Sequence, residues 1–197
     1  MAALALGACA PHDLEPDEEM VREMEERAFD EVEGERDERI LNLGGESQVS
    51  LSDPDSGDPF VRTTAGSARV RYVQTADAEF LQAQLRQVEG EIYEEGELVS
   101  RFRGADGELD QGRQRLELRE DVRVVSVESD DIEEELTLSA DRIVYLEENG
   151  YISAEGNVTV ESDRFVFGPV PELLATPDLR LFGTPEEFEE AWQERES

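Results

Sequence analysis

The chain has no lysine, a single cysteine (Cys9) and a single histidine (His12). Each shortage excludes a class of chemistry. One cysteine cannot form an internal disulfide, and one cysteine with one histidine cannot build a Cys/His zinc site. A nucleophilic Cys-His pair is not expected either, because nothing near the N-terminus orients the two side chains. There is no Gly-rich phosphate loop and no serine-nucleophile motif. With 51 acidic residues in the chain, pairs of carboxylates carry no information. No enzyme activity, cofactor or metal is expected. The 18 basic residues are all arginine, too few for the basic footprint that phosphate binding needs, so no nucleic acid is expected as partner. Beyond the N-terminus no segment approaches the ~20 apolar residues that span a bilayer.

What the chain does have is acid. Its formal net charge is −33 over 197 residues, 38% of which are hydrophobic. That length fits one domain, or one domain with tails. The charge has two readings: cationic or basic partners, or adaptation of a whole proteome to high salt. Carboxylate repulsion opposes a compact state at low ionic strength, and molar salt screens it to about 3 Å. The missing lysine favours a halophilic source, with most of the acid on solvated surface.

The chain opens MAALALGACAPHD. Leu6-Gly7-Ala8-Cys9 resembles the lipobox of bacterial lipoproteins, in which the cysteine thiol receives a diacylglycerol and the peptide is cut just before it. Residues 1–8 then read as a partial signal peptide and Cys9 as a lipid-attachment site. Two acyl chains would anchor durably where one binds only marginally. No basic residue precedes Cys9, so the true start is expected upstream.

Residues 9–59 read as an acidic tether and linker. Met20, Val21, Met24 and Ala28 fall at helical spacing, consistent with a short helix. Residues 44–59, GGESQVSLSDPDSGDP, read as a loop. Its Asp53, Asp55 and Asp58 lack the closing Glu of a calcium-binding EF-hand, and prolines interrupt them, so a plain acidic loop is expected. From residue 60 to 168, short alternating runs such as ARVRYVQT, QRLELRE and VRVVSVES follow one another with Gly, Asp or Asn between most of them. That texture predicts an all-β fold. The run DAEFLQAQLRQVEG is assigned to strand, because Phe80, Leu85 and Val88 make a poor helical stripe. Residues 169–197 read as a Pro-rich segment in which Pro169, Pro171 and Pro177 break regular pairing. A short C-terminal helix follows, with Thr184 as N-cap, Pro185 at its first position and Glu187 closing a capping box.

One unit recurs. RLELREDVRVVS (115–126) and YISAEGNVTVES (151–162) align without gaps at an offset of 36 residues. Leu116 falls on Ile152, Leu118 on Ala154, Asp121 on Asn157, Val122 on Val158 and Val124 on Val160. Each reads as a hairpin whose tight turn ends in Asp or Asn, residues that tolerate left-handed backbone. Stacked hairpins bury their apolar faces on one another and leave end strands free to pair.

The stretch SADRIVYLEENGYISAEGNVTVESD resembles the repeat signature of the lipopolysaccharide-transport β-jellyroll family. Ala140, Asp141, Tyr145, Gly150, Ala154, Gly156, Asn157 and Val158 carry the likeness. The resemblance implies an antiparallel β-jellyroll, a twisted sandwich of stacked hairpins, with acyl chains held between its two walls. Candidate lining residues are Leu116, Leu118, Val122, Val124, Ile143, Tyr145, Ile152, Val158, Val160, Phe165 and Phe167. It further implies a periplasmic, membrane-anchored bridge of the LptC type, with lipopolysaccharide, an inner-membrane ABC transporter and an LptA-like bridge protein as partners. The alternatives are a soluble LptA-type subunit and a structural or adhesive β-solenoid lipoprotein of a halophile. Residues 101–123 hold six arginines and six acids, so this part of the repeat is neutral and the excess acid lies elsewhere.

Overall fold

The computed structural model describes residues 40–53, 57–74, 79–127 and 134–195. Cys9, the lipobox-like start, the tether as far as residue 39 with its helical spacing, and Asp55 lie outside them. Nine strands follow: β1 (Ile40–Ser52), β2 (Pro59–Gln74), β3 (Glu79–Glu94), β4 (Glu97–Asp110), β5 (Arg115–Ser126), β6 (Thr137–Leu146), β7 (Tyr151–Glu161), β8 (Val166–Ala175) and β9 (Phe182–Gly183). They form one sheet in chain order, each strand antiparallel to the next. A helix, α1 (Pro185–Arg195), ends the fold. The architecture is all-β, as the alternation predicts, and residues 79–94 are strand.

The strands are long. β2 and β3 each run 16 residues, against about 5–6 for an ordinary strand. The length is explained by a crease across the sheet, which lets each strand serve two walls. Along β6, Leu138 and Ala140 are buried, and then Ile143 and Tyr145. The step from 140 to 143 breaks the period of two that a straight strand would keep. β5 and β7 turn the same corner with two consecutive left-handed residues: Glu120 and Asp121 (φ 62° and 52°), and Gly156 and Asn157 (φ 75° and 49°). β1 uses Gly45 (φ 85°) and β3 uses Gln87 (φ 53°). The register slips at matching points between β4, β5, β6, β7 and β8. An extra residue of this kind bends the strand that carries it and sharpens its twist.

The crease corrects the hairpin reading. YISAEGNVTVES is not two strands around an EGN turn but one strand, β7, folded at Gly156–Asn157. RLELREDVRVVS is likewise the single strand β5. The chain reverses elsewhere, at Glu147–Asn149 with left-handed Gly150 and at Gln111–Arg113 with left-handed Gln114. Two adjacent left-handed residues look the same in sequence whether the strand reverses or bends, since both need Gly, Asn or Asp. The 36-residue repeat itself stands: its four apolar pairs are buried at equivalent points of β5 and β7, and Asp121 and Asn157 are both exposed and left-handed at the corner.

The crease divides the sheet into flank I (the residues around Val61, Ile92, Phe102, Val124, Leu138 and Val160) and flank II (those around Val70, Leu85, Leu109, Leu116, Ile143 and Ile152). Their inner faces form a single apolar cluster. Phe60 of flank I meets Tyr145 of flank II edge to face, with ring centroids 6.3 Å apart. These residues sit on β2 and β6, four strands apart in the sheet, so only the folding of one flank onto the other brings them together.

Two further expectations change. The Gly/Ser/Asp/Pro segment 44–59 is not all linker: Ile40–Ser52 pairs with β2 as the edge strand, and Val49 and Leu51 are buried in the core. The sheet therefore begins 20 residues before the expected boundary at residue 60. Pro169 and Pro171 do not end the sheet; β8 continues through them to Ala175, with shifts of register against β7. Proline lacks the N–H for a ladder bond, which suits a strand at a sheet's edge. The expected helix start holds. The Glu187 carboxylate accepts hydrogen bonds from the Thr184 N–H (3.1 Å) and hydroxyl (2.8 Å), and the Phe188 N–H donates to the Thr184 carbonyl (2.9 Å).

The crease is pinned between β6 and β7. Asn157 Nδ2 donates to Asp141 Oδ2 at 2.9 Å, and a Cβ added to Gly156 would lie 2.4 Å from that same oxygen. Gly156→Ala therefore combines left-handed strain with crowding and is expected to lower the unfolding free energy by ~2–3 kcal/mol in urea titration. Gly57, also left-handed but with open space around its Cβ position, should cost only ~1 kcal/mol as Gly57→Ala. Equal losses would show that the Asp141 contact carries no weight.

Candidate functional site

The candidate site is the space between the flanks. Of the eleven residues expected to line it, nine are at most 3% exposed and share one cluster. Leu116 and Leu118 on β5, Ile143 and Tyr145 on β6 and Ile152 on β7 belong to flank II. Val122 and Val124 on β5 and Val158 and Val160 on β7 belong to flank I. The β5 and β7 residues keep one face across the corner, each an even number of residues from the next, whereas β6 takes an odd step from Ala140 to Ile143. Burial chiefly, with the carboxylates of Glu94 and Glu147, pushes the Tyr145 hydroxyl up from its ordinary value, so it stays neutral. Phe167 is half-buried against the cluster, opposite Val160. Phe165 precedes β8 and is 41% exposed; it is not an interior lining residue, because the chain has already left the sheet at Ser162.

Sequence reasoning missed part of this interior. Val49 and Leu51 of β1 belong to it, and the alternation in SQVSLS was the available signal, masked by the Gly-Ser-Asp-Pro texture around it. Leu109, Phe102 and Ile92 are equally buried. Together these side chains make an interior that is apolar on both walls. No group of three or more metal-ligating side chains occurs among the described residues.

The outer faces are polar. A concavity of about 820 Å³ on flank I is lined by Arg62, Arg101, Arg103 and Arg123 together with Glu89 and Glu91. On flank II the Glu117 side chain is 2% exposed. Its carboxylate accepts hydrogen bonds from Arg119 Nε (2.6 Å), Arg142 Nε (2.7 Å) and Arg115. Arg142 reaches on to Glu155 at 2.8 Å. This network ties β5 to β6 and β7 across the outside of the fold. Burial alone would raise the Glu117 pKa, but the hydrogen bonds from Arg142, Arg119 and Arg115 hold it down to about 2. No local pattern marks Glu117 in the sequence, where it reads as one more solvated acid. Only the β5–β6 register brings Arg142 beside it.

A family model described as lipopolysaccharide-assembly, LptC-related, matches residues 67–168, from the middle of β2 to the start of β8. No curated protein sequence matches the chain.

A carboxylate with a depressed folded pKa stabilises the fold above its unfolded value, here 4.5, and loses that contribution as pH falls through about 2. Glu117→Gln should cost ~1–3 kcal/mol near pH 7, the upper end following from the shift and the lower from solvent screening of the half-exposed Arg119. The gap between wild type and variant, read from urea midpoints, should narrow between pH 4.5 and pH 2. A gap independent of pH would mean that packing, not charge, holds this site.

Proposed function

Because the chain belongs to the LptC-related lipopolysaccharide-assembly family, we propose that it accepts lipopolysaccharide from an inner-membrane ABC transporter and passes it to an LptA-like bridge protein, with the acyl chains held between the two flanks. The observation that supports this best is the single apolar cluster running through β1 to β8 on both inner faces. Each methylene moved from water into such an interior contributes ~0.8 kcal/mol, so several acyl chains offset the loss of contact with the membrane. Transport of this kind needs no catalysis.

In the closed form the interior is filled by its own side chains. Loading then means that flank I and flank II part, with acyl chains replacing contacts such as the one between Phe60 and Tyr145. An antiparallel sheet creased along one line can open in this way while keeping its ladder hydrogen bonds, because the hinge lies at residues already out of register. The cargo's phosphates meet a protein of net charge −33. High salt or divalent cations screen that repulsion, and arginines are interleaved with the acids on the outer face of flank I.

Cys9 is the proposed lipid attachment point, holding the protein to the periplasmic side of the inner membrane. No helix among the described residues is long and apolar enough to cross a membrane. The packed interior also fits a second reading, a structural or adhesive β-solenoid lipoprotein, which would never open.

Photo-crosslinking separates the two readings. Small diazirine side chains at Val124 and Val160, both fully buried, should yield lipopolysaccharide adducts in membranes with an active transporter. Absence of adducts from every interior position, with the fold intact, would sink the transport reading. Cys9→Ala should move the protein from the membrane fraction to the soluble one; unchanged retention on the membrane would refute the anchor.

A further inference from the structure

The sheet's two flanks meet again at its C-terminal edge. β9 pairs there with β8 at only two positions, Leu174 with Gly183 and Ala175 with Phe182. Ala175 is fully buried on the inner face of flank II, and directly opposed residues share a face, so the Phe182 ring falls on the inner side. Across from it, on flank I, Phe167 lies opposite the fully buried Val160. The rings of Phe182 and Phe167 meet edge to face at 5.8 Å, and Phe165 stacks on Phe182 at 6.2 Å. Three phenylalanines thus bridge the flanks where the interior reaches solvent.

This closure differs from the one between Phe60 and Tyr145. Those two rings are buried, at 7% and 3% exposure, so separating them requires the core to part. Phe165 is 41% exposed and its neighbour Val166 is 66% exposed, while Phe182 is half-buried. A ring on a two-residue strand, already partly in water, can rotate outward without emptying a packed core. Pro169 and Pro171 remove two donors from β8, so the free part of this edge is a poor template for a further strand that would seal it. Exposed aromatic surface at the rim of an apolar interior also suits contact with an alkyl chain.

We infer that Phe165, Phe167 and Phe182 form an acyl-chain portal at the C-terminal edge, with Phe182 as its gate. The inference rests on the proposed lipid-binding interior and adds where a chain enters or leaves it.

The test uses the full chain and the neutral apolar dye N-phenyl-1-naphthylamine, whose fluorescence rises on leaving water. Stopped-flow uptake should be about tenfold faster or more for Phe182→Ala, which loses two aromatic contacts, at an unchanged saturating signal. Phe182→Trp, which keeps an aromatic ring of larger size, should retain the wild-type urea midpoint and take up dye more slowly. Val166→Ser, altering only the exposed neighbour, should leave the rate alone. Equal rates in wild type and both Phe182 variants, or no uptake by any form, would overturn the gate. The interior crosslinks to lipopolysaccharide report separately. Adducts with equal dye rates remove the gate and keep the cargo; faster dye entry without adducts keeps the portal and removes the cargo.

Discussion

An open antiparallel sheet with one apolar face has to hide that face, and with no second sheet among the described residues this one hides it against itself. The crease makes that possible. It depends on residues that accept left-handed backbone at the middle of alternate strands: Gly45, Gln87, Glu120 with Asp121, and Gly156 with Asn157. The intervening strands follow through the register. At β6 and β7 the bend is held by the bond from Asn157 to Asp141 and by Gly156, whose missing Cβ leaves room for that carboxylate. The Ala-Asp and Gly-Asn elements of the repeat signature are therefore two sides of one corner. They set the geometry of the interior without lining it.

The distribution of charge follows from the same construction. Every strand has an inner face that must be apolar, so the acid is confined to outer faces, turns and tails. Three of these acids, Asp110, Glu117 and Asp178, are nonetheless buried, and Glu117, on the outer side of flank II, is neutralised by three guanidiniums. Arginine suits that position because its planar fork bonds a carboxylate and still reaches a second one, as Arg142 does with Glu155. A chain using only arginine as its base can cross-link strands in this way while most of its exposed carboxylates stay solvated.

On the proposed carrier reading, the space for lipid and the hinge are separate. The interior is made mainly of aliphatic side chains in the straight parts of the strands, with Phe60, Phe102 and Tyr145 among them. The crease contains the polar and glycine positions. Opening can then be concentrated at the crease and at the two places where the flanks touch through aromatic rings, one buried at Phe60 and Tyr145 and one half-exposed at Phe182.

Alternation by itself determined the all-β class, the strand assignment of residues 79–94 and the burial of nine of the eleven candidate lining residues, because period-two burial is a local property of any strand with one dry face. The 36-residue repeat was equally legible, and its signature residues pointed to the family. The start of the C-terminal helix could be read from Thr184, Pro185 and Glu187, whose capping chemistry lies within one turn. Only the tertiary structure decided whether Gly156–Asn157 reverses the chain or bends it, since both outcomes use the same left-handed residues and differ only in what the next strand pairs with. It alone placed Val49 and Leu51 inside, because a loop-like composition cannot reveal a partner strand ten or more residues away. It alone joined Glu117 to Arg142 and Phe182 to Phe167. Those contacts depend on register and on the folding of one flank onto the other, which is non-local information that no short window of sequence contains.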